Sequence, residues 1–218
     1  MSRSLLLLAA TLLPGAAFAQ SAPKLPAHGW VRADFDVSSV TPKLTLGGAF
    51  ALSRVTAMTL EGTATDTAAT VAVGASVEIG ALYLDFGVGP EIGYTGGMGV
   101  GGDARAVVEI PPLPIYWEGN FRPTFRSPFG GADDWTDRNL LLWTFGKAIA
   151  AGYEHDGLHA ITAGTAAYDR HGVAANIRLC KPAILGLFVG YEADANARSR
   201  VEVGPDWLAA QATLTFAF

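Results

Sequence analysis

The chain has 218 residues, half of them apolar, a formal net charge of −5 at pH 7 and a single cysteine. An acidic balance without a basic stripe excludes nucleic acid as a partner, and Cys180 alone forbids an internal disulfide. Beyond the first 19 residues no apolar run reaches the ~18 residues of a transmembrane helix, so any membrane crossing must be made by strands.

Residues 1–19 have the pattern of a secretory signal peptide. Arg3 supplies the positive start, 5–13 the apolar stretch, Pro14-Gly15 the break and Ala17-Phe18-Ala19 a small-x-small cleavage site. Removing Arg3 makes the formal charge −6. No cysteine follows the cut, so a lipid anchor is not expected. Residues 20–29, with Pro23 and Pro26, form a short periplasmic leader, and 30–218 form one domain.

That domain is expected to be all-β, with about twelve strands, or ten or eight on a coarser count. Strand one, over 30–38, turns Val31, Ala33, Phe35 and Val37 to one face. Strand two, over 43–53, does so with Leu44, Leu46, Phe50 and Leu52. Strand three, near 57–65, is weaker. Strand four shows Val71, Val73, Ala75, Val77 and Ile79, and strand five Leu82, Leu84, Phe86, Val88 and Ile92. A glycine-rich loop is expected at 95–102. Strand six carries Ala106, Val108 and Ile110 and ends at Pro111-Pro112, since proline cannot donate to a ladder. Strand seven carries Leu113, Ile115, Trp117 and Phe121, and 125–136 is expected as a long loop.

Strands eight and nine are placed at 139–153 and 158–168, with a turn at Asp156-Gly157. Lys147 then shares a face with Trp143, Phe145 and Ile149, a conflict that a bulge near Gly146 would remove. Strand ten shows Val173, Ala175, Ile177 and Leu179, and strand eleven Leu185, Leu187, Val189 and Tyr191. A polar loop over 194–206 leads to the last strand. If both ends of the domain lie in the periplasm, the longer connections fall outside and the tight ones inside, the asymmetry of membrane barrels.

The final strand alternates strictly. Leu208, Ala210, Ala212, Leu214, Phe216 and Phe218 share one face, while Gln211, Thr213 and Thr215 lie on the other. With the signal peptide, this aromatic terminus resembles the bacterial outer-membrane β-barrel proteins. The resemblance is to a large, porin-like superfamily rather than to a member. It implies a closed antiparallel transmembrane β-barrel in the outer membrane, exported through the Sec pathway. Leu214, Phe216 and Phe218 would be the signal read by the barrel-assembly machinery. Outer-membrane lipid and lipopolysaccharide would be the surroundings, and a monomer is favoured.

The opposite parity sends charge inward. Arg32, Asp34, Asp36, Lys43, Glu61, Glu78, Asp85, Glu91, Arg105, Glu109, Glu118, Arg122, Arg178 and Glu192 fall there, with Tyr83 and Tyr116. Such regular charges must meet water or one another. They would either line a narrow, mildly cation-favouring pore or pair into layers that plug the barrel, with Arg105 and Glu118 a candidate pair. Small inward residues, such as Gly47, Gly87, Gly89 and Gly190, point to a wet lumen.

Catalytic signals are thin. Glu154-His155-Asp156 and Asp169-Arg170-His171 are expected at turns, as solvated clusters. No P-loop, CxxC or zinc spacing is present, and no cofactor, metal or catalytic residue is assigned. The sequence therefore points to a diffusion channel or structural envelope protein. A lipid-modifying enzyme, or an adhesin presenting Phe125, Phe129 and Trp135, are the alternatives.

Overall fold

The computed structural model describes residues 28–36, 41–109, 113–161, 168–192 and 208–217. Twelve strands form one antiparallel sheet closed on itself. They are β1 (His28–Asp36), β2 (Thr41–Ala51), β3 (Thr56–Ala64), β4 (Ala68–Ile79), β5 (Leu82–Gly93), β6 (Met98–Glu109), β7 (Ile115–Phe125), β8 (Asp134–Phe145), β9 (Ile149–Ala160), β10 (Tyr168–Cys180), β11 (Ala183–Glu192) and β12 (Leu208–Ala217). Each strand pairs with its neighbours in sequence. β1 closes the ring on β12, from Trp30↔Ala217 to Asp36↔Gln211. Closure leaves no open edge, which in hydrocarbon would cost several kcal/mol per unpaired backbone group.

The alternating pattern sets what faces outward. Leu44, Leu46, Val71, Val73, Phe86, Leu187 and Phe216 are exposed, while Leu84, Ile177 and Leu214 are half-exposed. Val73 and Phe86 stand 53% and 56% open, whereas inward Tyr83, one residue from Leu84, is 4% open. A soluble protein would reverse this order, because burying such side chains is its main driving force. The belt is uneven around the ring. On β5 the outward residues stay apolar from Leu82 to Ile92, but on β10 Asp169 and His171 precede an apolar run that spans only Val173 to Leu179.

Two rims result. The short-turn rim holds the connections 52–55, 80–81, 146–148 and 181–182 with the start of β1 and the end of β12. The long-loop rim holds 65–67, 94–97 and 126–133, the last with a 3-10 turn at Ser127–Phe129. Gly80 and Gly146 take positive φ (63° and 74°) in short turns where a side chain would be strained.

Several boundaries differ from those the sequence suggests. His28 and Gly29 belong to β1. The glycine-rich stretch is mostly strand: Gly99, Gly101 and Gly102 pair with Glu91, Gly89 and Val88, leaving a turn at 94–97. The long loop shrinks to 126–133, because β8 starts at Asp134. The hairpin between β8 and β9 turns at Gly146-Lys147-Ala148, so Asp156-Gly157 lies within β9. Lys147 is then exposed in a turn and never meets the belt. Ladder pairing lapses at Pro90 and Pro123, neither of which has an N–H to give. Cys180, at the end of β10, is exposed. The signal segment 1–19, Pro111-Pro112, the loop 194–206 and Phe218 lie outside the described residues.

Candidate functional site

Inward charges cannot stay unpaired in so narrow a space, and the ladder register decides which ones meet. Arg105 on β6 and Glu118 on β7 sit on diagonal inward positions. The Arg105 guanidinium reaches Glu118 Oε1 at 2.9–3.0 Å, and the Tyr116 hydroxyl donates to Oε2. Arg138 on β8 donates to Glu154 on β9 at 2.5 Å. Arg32 pairs with Asp34 at 2.8 Å, which also accepts from Thr213 at 2.7 Å.

Two pairs cross between strands that are not neighbours. Arg122 on β7 holds Asp103 on β6 at 2.9 Å and Glu61 on β3 at 3.1 Å. Arg170 on β10 holds Glu192 at 2.7 Å and Asp36 on β1 at 2.6 Å. These bridges narrow the long-loop half of the barrel from opposite walls.

Around them lies a cavity of about 920 Å³, room for roughly thirty waters at ~30 Å³ each. It runs from Thr65, Asp66 and Thr67 at the long-loop rim down to Trp30 and Thr215. Arg32, Lys43, Arg105, Arg122, Arg138 and Arg170 line it, against the carboxylates of Asp34, Asp36, Glu61, Asp66, Asp85, Asp103, Glu118 and Asp156. Six cations therefore face eight carboxylates. Asp137 also borders this space, but its carboxylate is engaged on the outer face by His155 and His159.

Toward the short-turn rim the lumen is filled by side chains. Tyr83, Val107, Tyr116, Leu140, Leu142, Ala150 and Ala174 form one buried cluster, with Leu140 wholly shielded. Trp30, 7% exposed, packs with Ala49 and Ala57 on the facing wall. The glycines expected to leave water space partly serve this packing. A Cβ on Gly47 would fall 2.1 Å from the Trp30 ring, and one on Gly190 2.6 Å from that of Phe188.

Of the residues assigned to the lumen from sequence, Arg32, Asp85, Arg105, Glu118 and Arg122 line the cavity. Glu192 meets it through Arg170. Glu78, Glu109 and Arg178 lie nearer the short-turn rim, sharing register with inward Tyr83, Tyr116 and Ile184. Sequence reasoning missed Asp103, Arg138, Glu154, Asp156 and Arg170. The misplaced loops and hairpin hid them, and the Glu154 and Arg170 clusters are strand residues rather than solvated turns. The Lys147 conflict was the available signal, since a Gly-Lys step between alternating runs is also how a hairpin turn reads.

The rim loop is tied by Arg126, whose guanidinium bridges Glu91 (2.6 Å) and Asp134 (2.5 Å). Asp133 Oδ1 accepts the backbone N–H groups of Ser127 and Arg126 at 2.7 Å each, and these bonds, Ser127's foremost, hold its carboxyl below the usual range. A carboxyl lowered in the folded loop stabilises it above the free value of ~3.9 and loses that effect as pH falls through the lowered one. The Ser127 amide should accordingly lose protection against deuterium exchange, relative to its intrinsic rate, as pH drops below about 4. Unchanged protection across that window would refute the tie.

No family model matches the chain, and no curated protein does. Solved structures share its architecture. A KdgM porin is 14% identical, with 88% of this chain and 99% of that one covered at a TM-score of 0.53. A second KdgM structure, in complex with disordered oligogalacturonate, gives 14% and 0.54 over the same shares. A NanC porin is 8% identical, with 87% and 98% covered at 0.54.

Proposed function

We propose that the chain is an integral outer-membrane β-barrel that acts as a narrow diffusion channel, with the long-loop rim extracellular and the short-turn rim periplasmic. The observation that carries this is the charged cavity of about 920 Å³ inside an apolar outer belt. Short turns at one rim and longer loops at the other supply the orientation. Outer-membrane lipid and lipopolysaccharide would contact the belt. The barrel-assembly machinery would read the last strand through Leu214, Phe216 and Phe218, and the barrel would work as a monomer.

The solute is constrained by charge. Eight lining carboxylates against six cations do not favour a polyanion of the kind held in the KdgM complex. Small cations or neutral solutes fit better. An enzymatic role draws no support from the lumen: His155, His159 and His171 all project from the outer face, so none of them can serve as a base inside.

Planar-bilayer recording of the folded barrel tests the channel. Small ohmic steps with a cation-favouring reversal potential in a KCl gradient are expected. Replacing Glu78→Gln, Asp85→Asn and Glu109→Gln together should shift that potential toward zero, because charge at a constriction sets selectivity. An unchanged potential would remove these carboxylates from selectivity. Absence of current from the wild type would favour a structural envelope protein, a reading supported by the packed half of the lumen.

A further inference from the structure

On the outer face near the long-loop rim, β8, β9 and β10 carry a polar cluster that neither the lumen nor the belt uses. His155 and His171 stand directly opposite across the β9–β10 ladder, their ring centroids 4.9 Å apart. Asp169 lies on the same face, two residues before His171. His155 Nε2 is 2.6 Å, and His171 Nε2 3.2 Å, from the same oxygen, Asp169 Oδ1.

The remaining ring nitrogens are already engaged. His155 Nδ1 lies 3.0 Å from Asp137 Oδ2, and His171 Nδ1 2.6 Å from the Tyr153 hydroxyl. Asp137 is fixed in turn by His159 Nε2 at 2.8 Å. Gly157 makes that possible, since a Cβ there would come within 2.5 Å of His159 Nε2 and 2.9 Å of Asp137 Oδ1. A neutral imidazole has one N–H to give. When His155 gives it to Asp137, its Nε2 lone pair faces the Asp169 carboxylate, a clash that a second ring proton or a bound cation beside the pair relieves.

We propose that His155, His171 and Asp169 bind a divalent transition metal ion of the Zn²⁺ class on the outer face of the barrel. Two imidazoles and a carboxylate suit zinc, whereas Mg²⁺ and Ca²⁺ favour all-oxygen shells. The three ligand atoms lie within 4.8 Å of one another, and water would complete the shell. Asp137 accepting from the far nitrogen of His155 is the outer-shell bond that fixes a ligand's tautomer and orientation. Bound metal would clamp β9 to β10 just below the rim.

Zinc chloride titrated calorimetrically into the full-length mature barrel, folded in detergent and carrying no histidine tag, tests the site. Saturable binding of a single Zn²⁺ per barrel is expected, with no competition from Mg²⁺. H155A and H171A should each abolish it or weaken it at least tenfold, and D137N by about 10–100-fold. H159A should keep the stoichiometry. Folding of each variant is read from its heat-modifiable gel mobility. Lack of saturable binding to the wild type, or equal affinity in a folded H155A/H171A double variant, would overturn the proposal.

Discussion

The Glu154→Ala variant is expected to lose about 3–5 kcal/mol of folding stability, the cost of stripping one partner from a buried ion pair. Glu154 is 2% exposed and accepts from Arg138 Nε at 2.5 Å, in a wall where Leu140 is its cross-strand neighbour. Without the carboxylate, the guanidinium loses its only direct ion-pair partner among the described residues and keeps only the more distant charges of Glu118 and Asp34. Replacing both partners by apolar residues of similar volume, Arg138→Met with Glu154→Leu, should restore most of the loss, because neither charge is then taken out of water. Urea titration of the refolded barrel in lipid vesicles measures both. A single variant as stable as the wild type would mean that water reaches this pair and screens it.

The second large effect concerns conduction. Trp30→Ala combined with Leu142→Ala removes bulk from facing walls of the packed half and should raise single-channel conductance severalfold. An apolar constriction gates by excluding water, so if the barrel conducts, the main resistance is expected there rather than in the charged cavity above it. Each truncation of a buried side chain of this size costs ~2–5 kcal/mol where a dry cavity is left. Water entering the widened lumen would reduce that cost, so a modest loss of stability with a large gain in current is the expected combination. Unchanged conductance in a correctly folded double variant would place the resistance elsewhere, at the Arg122–Glu61 and Arg170–Asp36 bridges.

The outer surface was the most legible part of this chain. A period-2 pattern reports which face a residue takes, and lipid demands that face be apolar, so Val71, Phe86 and Leu187 could be assigned without knowing any contact. Closure followed from the same logic, since an edge in hydrocarbon is too costly. The lumen was legible only in parity. Arg105 and Glu118 could be matched because β6 and β7 adjoin in sequence, but nothing local announces that Arg122 reaches Glu61 or that Arg170 reaches Asp36.

Glycine misled in two ways. At 99–102 it suggested a loop where the ladder continues past Gly89 and Pro90, and at Gly47 it suggested a void where the Trp30 ring lies. In both places the backbone tolerates glycine because a neighbour approaches closely, which is a long-range fact. The β8–β9 hairpin failed for a different reason. Alternation runs through both strands at the same parity on either side of Gly146, so the pattern alone does not mark where the chain reverses.

The uneven belt has a mechanical consequence. Ten residue steps from Leu82 to Ile92 rise about 34 Å along β5, and six from Val173 to Leu179 about 20 Å along β10, at ~3.4 Å per residue. With strands inclined by ~40°, the hydrocarbon-compatible heights of the two walls become roughly 26 and 16 Å. A flat bilayer of uniform thickness cannot match both. The mismatch is relieved by leaning the barrel axis or by thinning the leaflet beside β10, so that the surrounding lipid is deformed on one flank only.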